Sequence, residues 1–203
     1  MPFSFKRFES LPDLVLIQAP TFVDERGWFG EAYKKSEFAA QGIAVDFVQD
    51  NHSYSKLRGT LRGLHFQKEP SAQGKLIRCV AGDIFDVAVD IRNGSPTFGK
   101  WVSARISSDN HAAMWVPPGF AHGMLTMTDD SEVIYKLTSE YSAKDERSIR
   151  WNDPTIGIHW PLNNPILSKK DAEAPLLNEV DNNYVWSLNH HVIPAERNQT
   201  RRK

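Results

Sequence analysis

Short strands separated by turn residues recur through the middle of this chain at a spacing of about 8 to 12 residues, and this rhythm limits the fold more than any other feature. Glycine, asparagine, serine and proline separate the strands, as at Gly82 and at 93–96. Regularly spaced short strands are typical of an all-β sandwich or barrel, and no alternation of strands with long helices competes with that pattern. The predicted strands of this region are 75–80, 83–91, 100–106, 112–116, 123–127 and 132–138.

The flanking regions add further strands and two short helices. One helix is predicted over 35–41, where Gly42 would end it, and a second opens near 167–171. We therefore predict an all-β barrel with a few short peripheral helices. The additional strands are predicted at 14–23, 28–33, 45–51 and 59–67.

Length and composition favour one domain and exclude several classes of partner. The chain has 203 residues, 40% of them hydrophobic, which suits a single all-β domain. We predict that 1–188 form this domain and that 189–203 form a polar, basic tail. The net charge of -1 provides no basic field for nucleic acid, so an anionic ligand must meet locally placed arginine or lysine. No segment is apolar enough for export or for crossing a membrane, so we expect a cytoplasmic protein that binds neither membrane nor nucleic acid.

The segment 59–67 places Arg62 and His65 among apolar residues and glycines. In a strand, His65 would share a face with Gly63 and Gln67, while its apolar neighbours point into the core. Arg62 is one residue out of this alternation, which a bulge or a bend at Gly63 would correct. Taken alone, His65 is better explained as a hydrogen-bonded histidine of an edge strand than as a site residue, so its neighbours decide whether the segment is a site.

A second histidine, His122, follows a rigid Pro-Pro-Gly turn. Small jelly-roll barrels of the cupin type commonly bind a metal through Gly-x5-His-x-His and Pro-x-Gly-x2-His motifs. The spacings from Gly59 to His65 and from Pro117 to His122 match, but Gln67 occupies the second histidine position and no carboxylate follows where the motif needs one. Two imidazoles and an amide fall short of three strong ligands, so we predict no metal. Proton transfer explains these two histidines better than metal binding does.

The ordered motifs of the chain resemble those of the dTDP-4-dehydrorhamnose 3,5-epimerase family from Phe22 to about Pro175. The resemblance implies a jelly-roll homodimer that works without metal or other cofactor. It also implies epimerisation at C3 and C5 of dTDP-4-dehydro-6-deoxy-D-glucose, giving dTDP-4-dehydro-L-rhamnose for dTDP-rhamnose biosynthesis. The segments that carry the resemblance include Asp-Glu-Arg-Gly at 24–27, Leu-Arg-Gly-Leu-His-Phe-Gln at 61–67, Gly-Phe-Ala-His-Gly at 119–123 and Leu-Ser-Lys-Lys-Asp at 167–171.

The same resemblance implies roles for the residues that move protons. His65 looks like the general base, and Asp171 is similar to the carboxylate that orients its ring. Tyr135 resembles the acid on the opposite face, although without the resemblance it would be interpreted as a core aromatic. Lys75 resembles the cation beside the developing enolate oxygen, where His122 would assist.

The nucleotide half of the substrate needs a cation for the diphosphate and an aromatic face for the base. By resemblance, Arg62 takes the diphosphate and Tyr141 stacks on the base. In this family the turn after the first strand reaches into the neighbouring subunit's pocket, which implies a homodimer with strand exchange at the N-terminal region. Arg26 alone would otherwise be explained by an ion pair within its own turn. The other binding residues implied by the resemblance are Phe29, Glu31, Gln49, Asn51, Glu146 and Lys170.

Three alternatives remain open at the level of sequence. Relatives that act at C3 or at C5 alone share nearly all of these motifs, so a one-carbon epimerase fits as well. A sugar-nucleotide-binding cupin without turnover is disfavoured because His65, Lys75, Tyr135 and Asp171 are all present. A metal-dependent cupin oxygenase is disfavoured by Gln67.

Overall fold

A computed structural model describes residues 2–187, so the predicted tail and the domain boundary before it lie outside the described part. Neither helix within the described residues is long and apolar enough to cross a membrane. The strands are β1 Ser4–Arg7, β2 Val15–Gln18, β3 Thr21–Asp24, β4 Gly27–Gly30, β5 Gln49–Ser55, β6 Leu61–Gln67, β7 Lys75–Ala81, β8 Asp83–Asp90, β9 Trp101–Ser107, β10 Ala112–Val116, β11 Phe120–Thr126, β12 Ser131–Leu137 and β13 Glu146–Ser148. The helices are α1 Lys35–Ala40 and α2 Lys169–Ala172.

Two antiparallel sheets carry the fold. The six-stranded sheet has the order β1-β2-β10-β7-β12-β5 and the five-stranded sheet has the order β13-β6-β11-β8-β9. From β5 to β13 the chain changes sheet at nearly every connection, which is the jelly-roll arrangement. The prediction of an all-β jelly roll with short peripheral helices is confirmed.

The main core lies between the two sheets. Ile77 and Met114 from the six-stranded sheet pack with Ala88 and Met124 from the five-stranded sheet, and all four are buried. The outer face of the six-stranded sheet is covered by the N-terminal region, which includes the fully buried Phe38 of α1. A helix of six residues is too short to be stable alone, so the burial of Phe38 is what maintains it.

Several predicted strand boundaries differ from the observed ones. The segment 14–23 is two strands, β2 and β3, because the chain leaves the sheet at Pro20, which has no amide proton for a ladder bond. The strand predicted at 45–51 starts at Gln49 and continues to Ser55, since the residues before it pack against the N-terminal core instead. The strand predicted at 28–33 ends at Gly30. The short edge strands β1 and β13 were not predicted.

The bulge predicted at Gly63 is confirmed by the pairing of β6 with β11. His65 lies opposite His122 and Arg62 opposite Met124, so the register shifts between these pairs. The extra residue on β6 moves Arg62 into phase with His65, and both side chains line one cavity.

A side chain at Gly63 should be severely destabilising. A Cβ there would lie 2.5 Å from the Cα of Gly123 and 2.9 Å from the carbonyl oxygen of His122, and φ is +131°. We expect Gly63→Ala to lower the free energy of unfolding by about 3 kcal/mol or more, because the backbone of the paired strand β11 cannot yield and the left-handed φ is strained for alanine. Gly94→Ala is the matched control, since φ is +82° there but no atom of the described residues would lie within 4 Å of an added Cβ. Urea unfolding measures both losses, and equal losses would contradict the close-approach argument.

Candidate active site

A cavity of about 780 Å³ opens between the two sheets and is lined by β5, β6, β7, β11, β12 and α2. Its size is that of a typical site for a small organic ligand. The structure brings most of the predicted site residues together in its lining. These residues are Asn51, Arg62, His65, Lys75, His122, Tyr135, Tyr141, Glu146, Lys170 and Asp171.

His65 and Asp171 form a hydrogen-bonded pair at the cavity wall. The distance from Nε2 of His65 to Oδ1 of Asp171 is 2.5 Å, and the Asp171 side chain is 5% exposed against 30% for His65. Burial opposes ionisation of Asp171, but hydrogen bonds from His65 and from Ser168 outweigh it and lower the pKa of the carboxyl group. Because Asp171 is then an acceptor, Nε2 carries the proton and Nδ1 of His65 is left as the basic nitrogen.

Ser168 binds the second oxygen of the Asp171 carboxylate. Its hydroxyl donates to Oδ2 of Asp171 at 2.9 Å and accepts from the Asp171 amide at 3.1 Å, as the N-cap of α2. A serine followed three residues later by an acid is a recognisable helix start, so sequence reasoning could have found this contact.

A second histidine–carboxylate pair lies deeper in the cavity. Nε2 of His122 lies 2.7 Å from Oδ1 of Asp86, and both side chains are buried. The second oxygen of Asp86 is buried and has no hydrogen-bond partner among residues 2–187. Asp86 was not among the predicted site residues, although an acid in the middle of the apolar strand β8 is a signal that could have found it.

Lys75 extends into the cavity from β7 and lies beside His65. Its Nζ donates to the backbone carbonyl oxygen of His65 at 3.1 Å. Burial lowers the pKa of Lys75 to about 8, against the opposing influence of Asp86 and Glu146. An ammonium group with little hydration interacts strongly with any negative charge that develops nearby.

Tyr135 belongs to the opposite wall, because β12 is in the six-stranded sheet whereas β6, which carries His65, is in the five-stranded sheet. Its hydroxyl lies 3.2 Å from the sulfur of Met124 and 3.4 Å from the hydroxyl of Ser53. Burial raises the pKa of Tyr135, so the phenol keeps its proton at neutral pH. A ligand between the walls would have a base on one side and an acid on the other.

The mouth of the cavity carries Tyr141, which is 57% exposed. Its hydroxyl donates to Oε2 of Glu146 at 3.0 Å, and the same oxygen lies 2.5 Å from Nζ of Lys170. Gln49 does not line the cavity, but its Oε1 accepts from the Tyr141 amide at 2.8 Å and its Nε2 donates to Asn51 at 2.7 Å. Gln49 therefore lies behind Tyr141.

Three predicted binding residues lie away from the cavity of their own chain. Arg26 is on the hairpin of β3 and β4, where Nη2 lies 2.5 Å from Oδ2 of Asp24. Phe29, on the same hairpin, is 69% exposed, and Glu31 follows the hairpin and is exposed. The structure does not bring these residues to His65 within one chain.

The donor set of the cavity does not suit a metal ion. Each histidine is already paired with a carboxylate, and the Gln67 amide donates to the carbonyl oxygen of Ser71 at 2.7 Å and accepts from the amide of Ser142 at 2.7 Å. Among residues 2–187, no group of three His, Cys, Asp or Glu is placed to hold a metal. We derive no step that uses one.

The sequence model of the dTDP-4-dehydrorhamnose 3,5-epimerase family matches residues 9–179. The chain belongs to this family. It is 52% identical over 172 residues to the dTDP-4-dehydrorhamnose 3,5-epimerase of Salmonella typhimurium, covering 84% of this chain and 93% of that protein. The Shigella flexneri enzyme of the same name is 50% identical over 172 residues, covering 84% and 94%. The predicted membership of this family of isomerases is confirmed.

A solved member of the dTDP-4-dehydrorhamnose 3,5-epimerase family has the same architecture. The epimerase of Legionella pneumophila, crystallised in complex with dTDP-4-keto-L-rhamnose, superposes with a TM-score of 0.85 at 43% identity. The match covers 89% of this chain and 95% of the Legionella chain. The fold of the family and the fold described above are therefore the same.

Proposed function

We propose that this chain inverts C3 and C5 of dTDP-4-dehydro-6-deoxy-D-glucose to give dTDP-4-dehydro-L-rhamnose, without a cofactor, for dTDP-rhamnose biosynthesis in the cytoplasm. The observation that carries the proposal is the placement of His65 and Tyr135 on opposite walls of one cavity, with Nδ1 of His65 left as an acceptor by the bond to Asp171 and with the Tyr135 phenol protonated. The dTDP-4-keto-L-rhamnose bound by the Legionella relative supports the same substrate class.

The first half of the reaction removes a proton beside the C4 carbonyl. Nδ1 of His65 takes the proton, and the electron pair of the broken C–H bond moves to the C4 oxygen, which becomes an enolate. Asp171 stabilises the imidazolium, and Lys75 and His122 stabilise the charge on the oxygen.

The second half returns a proton to the opposite face. The enolate electrons re-form the carbonyl as the carbon takes the Tyr135 proton, which inverts the configuration and leaves a phenolate. Exchange with water removes the proton from His65 and restores the one on Tyr135. The same two groups then serve the second carbon.

The nucleotide half is bound at the mouth of the cavity. Arg62 is in place for the diphosphate, with its Nη2 held by the carbonyl oxygen of Tyr54 at 2.9 Å, and Tyr141 offers an exposed ring to the base. Asn51, Glu146 and Lys170 border the same opening.

A homodimer with strand exchange supplies the remaining contacts in this proposal. The β3–β4 hairpin is a separate two-stranded sheet, and such hairpins are marginally stable unless covered. Phe22, Val23, Trp28 and Phe29 on it are between 51% and 80% exposed. Within the part of the chain that the structure describes, β5 pairs only with β12, so its other edge is open for added strands. Docking of this hairpin against a second copy would carry Arg26, Phe29 and Glu31 to that copy's cavity.

Mixed dimers test the shared site. Arg26→Ala alone should weaken dTDP binding, and His65→Ala alone should remove turnover. After subunit exchange, a dimer with one protomer of each kind contains one site with both native residues, so roughly a quarter of all sites should regain activity. Fluorescence energy transfer between labelled protomers verifies the exchange. Verified exchange without recovered activity would show that Arg26 does not act across the dimer.

The value of kcat/KM, which reports the ionisations of the free enzyme, should fall as pH rises through about 8. Burial lowers the pKa of Lys75 to about 8, so its ammonium form predominates below this pH and is lost above it. The enolate then loses its cation, and kcat/KM should drop about tenfold for each further pH unit. Lys75→Arg stays charged, so the descending limb of the pH–rate profile should move to higher pH. If the descending limb of the pH–rate profile is unchanged in Lys75→Arg, a group other than Lys75 causes it.

Exchange in deuterium oxide separates this proposal from its alternatives. The protein is dialysed against chelator and incubated with the 4-keto sugar nucleotide, and NMR follows each carbon. Exchange with inversion at C3 and C5 supports the proposal, and exchange at one carbon indicates a C3-only or C5-only epimerase. Nucleotide binding without exchange indicates a non-catalytic sugar-nucleotide-binding cupin, and activity that chelation abolishes indicates a metal enzyme.

A further inference from the structure

The short segment that carries Tyr141 is held by two glutamine side chains. Oε1 of Gln49 accepts from the Tyr141 amide at 2.8 Å. Gln67 holds both neighbours, because its Nε2 donates to the carbonyl oxygen of Glu140 at 3.2 Å and its Oε1 accepts from the amide of Ser142 at 2.7 Å. Three consecutive residues are thus bound through their backbone to side chains from elsewhere in the fold.

The two glutamines reach this segment from different sheets. Gln49 begins β5 of the six-stranded sheet and Gln67 ends β6 of the five-stranded sheet. Gln67 is 5% exposed and also donates to the carbonyl oxygen of Ser71 at 2.7 Å, so both its amide hydrogens and its oxygen are used. A buried amide with every group satisfied is rigid, and replacing it leaves backbone groups without partners.

The ring of Tyr141 is fixed at its far end as well. Its hydroxyl donates to Glu146 at 3.0 Å, and Glu146 is paired with Lys170. Exposed aromatic side chains ordinarily lose rotational freedom when a ligand stacks on them, and that loss weakens binding. Here the backbone and the hydroxyl are both held while Tyr141 as a whole remains 57% exposed.

We propose that Gln67 and Gln49 are positioning residues that hold Tyr141 as a preorganised face for the planar base of the nucleotide. The inference rests on the proposed function, because it takes the ligand to be a nucleotide whose base reaches Tyr141. Gln67 occupies the position where a metal-binding cupin has a histidine. The proposal gives this residue a role in nucleotide recognition instead.

A double-mutant cycle tests whether Gln67 acts through Tyr141. Calorimetric titration with dTDP measures the affinity of Gln67→Met, Tyr141→Ala and the double variant. We expect Tyr141→Ala to weaken dTDP binding about 10- to 100-fold, the range for loss of base stacking. Gln67→Met should weaken it about fivefold in the native background and less than about twofold when Tyr141 is already alanine. Additive effects, or unchanged dTDP affinity in Gln67→Met, would overturn the inference.

Inorganic pyrophosphate and a second glutamine variant exclude a purely structural explanation. Pyrophosphate lacks the base, so its affinity should be the same in Gln67→Met and the wild type. Gln18→Met is the matched control, since Gln18 also donates to a backbone carbonyl oxygen, that of Asn110 at 2.6 Å, and it does not line the cavity. If Gln67→Met fails to fold, Gln49→Met provides the same cycle from a more exposed position. Equal losses for dTDP and pyrophosphate would reduce Gln67 to a structural residue.

Turnover by the wild type separates failure of this inference from failure of the proposed function. If the wild type epimerises the 4-keto sugar and the cycle is additive, only the positioning role is wrong. If the wild type neither binds dTDP nor turns the sugar over, both the function and the positioning role are wrong.

Discussion

His65→Ala should lower deuterium exchange at both C3 and C5 by about 10²–10⁴-fold, the usual contribution of a general base. His65 opens to the cavity with Nε2 held by Asp171, which leaves Nδ1 to take a proton from either carbon. His122 cannot easily replace it, since its side chain is only 5% exposed and already paired with Asp86. Affinity for dTDP should stay within a few-fold of the wild-type value, because the nucleotide is bound elsewhere.

Two further variants complete the test of His65. Asp171→Asn should lose exchange at both carbons in parallel, because the amide stabilises the imidazolium less well and no longer selects the tautomer. His159→Ala is the matched control, since His159 is exposed and does not line the cavity. Exchange at a near wild-type rate at either carbon in His65→Ala would show that the two carbons do not share this base.

Tyr135→Phe should keep deuterium exchange from the His65 side while losing inverted product by about 10²-fold or more. The substitution removes only the hydroxyl, so its contacts with Met124 and Ser53 are lost while the ring still packs between the sheets. Enolate formation does not need this hydroxyl, whereas protonation on the opposite face does. NMR in deuterium oxide follows exchange and inversion in one sample.

Lys75→Ala gives the contrasting pattern. Without the cation, proton removal itself becomes costly, so exchange and inversion should fall together. Near wild-type inversion in Tyr135→Phe would show that water or another residue, such as Tyr141, is the acid. If Lys75→Ala retains deuterium exchange but loses inverted product, the cation acts in the second step, the protonation of the enolate, instead of in the first.

The parts of the fold that follow from local pattern could be predicted from the sequence. The strands from β6 to β12 were predicted within about three residues at each end, because period-two alternation and turn residues act locally. β13 could not be predicted, because its three residues form a strand only by pairing with β6. The break at Pro20 was missed because the apolar pattern continues across it.

The His65–Asp171 pair, to which we assign the proton abstraction, is a contact over a long sequence separation that only the fold creates. His65 and Asp171 are 106 residues apart, and motif resemblance rather than spacing placed them together. Asp86 and Ser53 were not predicted as site residues because their importance depends on which side chain lies beside them on the neighbouring strand. Gln49 was interpreted as a ligand contact, although it supports Tyr141 from behind.

The most direct test follows one turnover of the wild-type enzyme in deuterium oxide after dialysis against chelator. Our account predicts that C3 and C5 each gain one deuterium and that the deuterium at each carbon lies in the inverted configuration. This result requires proton loss to one wall and return from the other, as His65 and Tyr135 are placed. Inversion without deuterium at either carbon would contradict the mechanism, because the proton would then have moved by a route that neither residue provides.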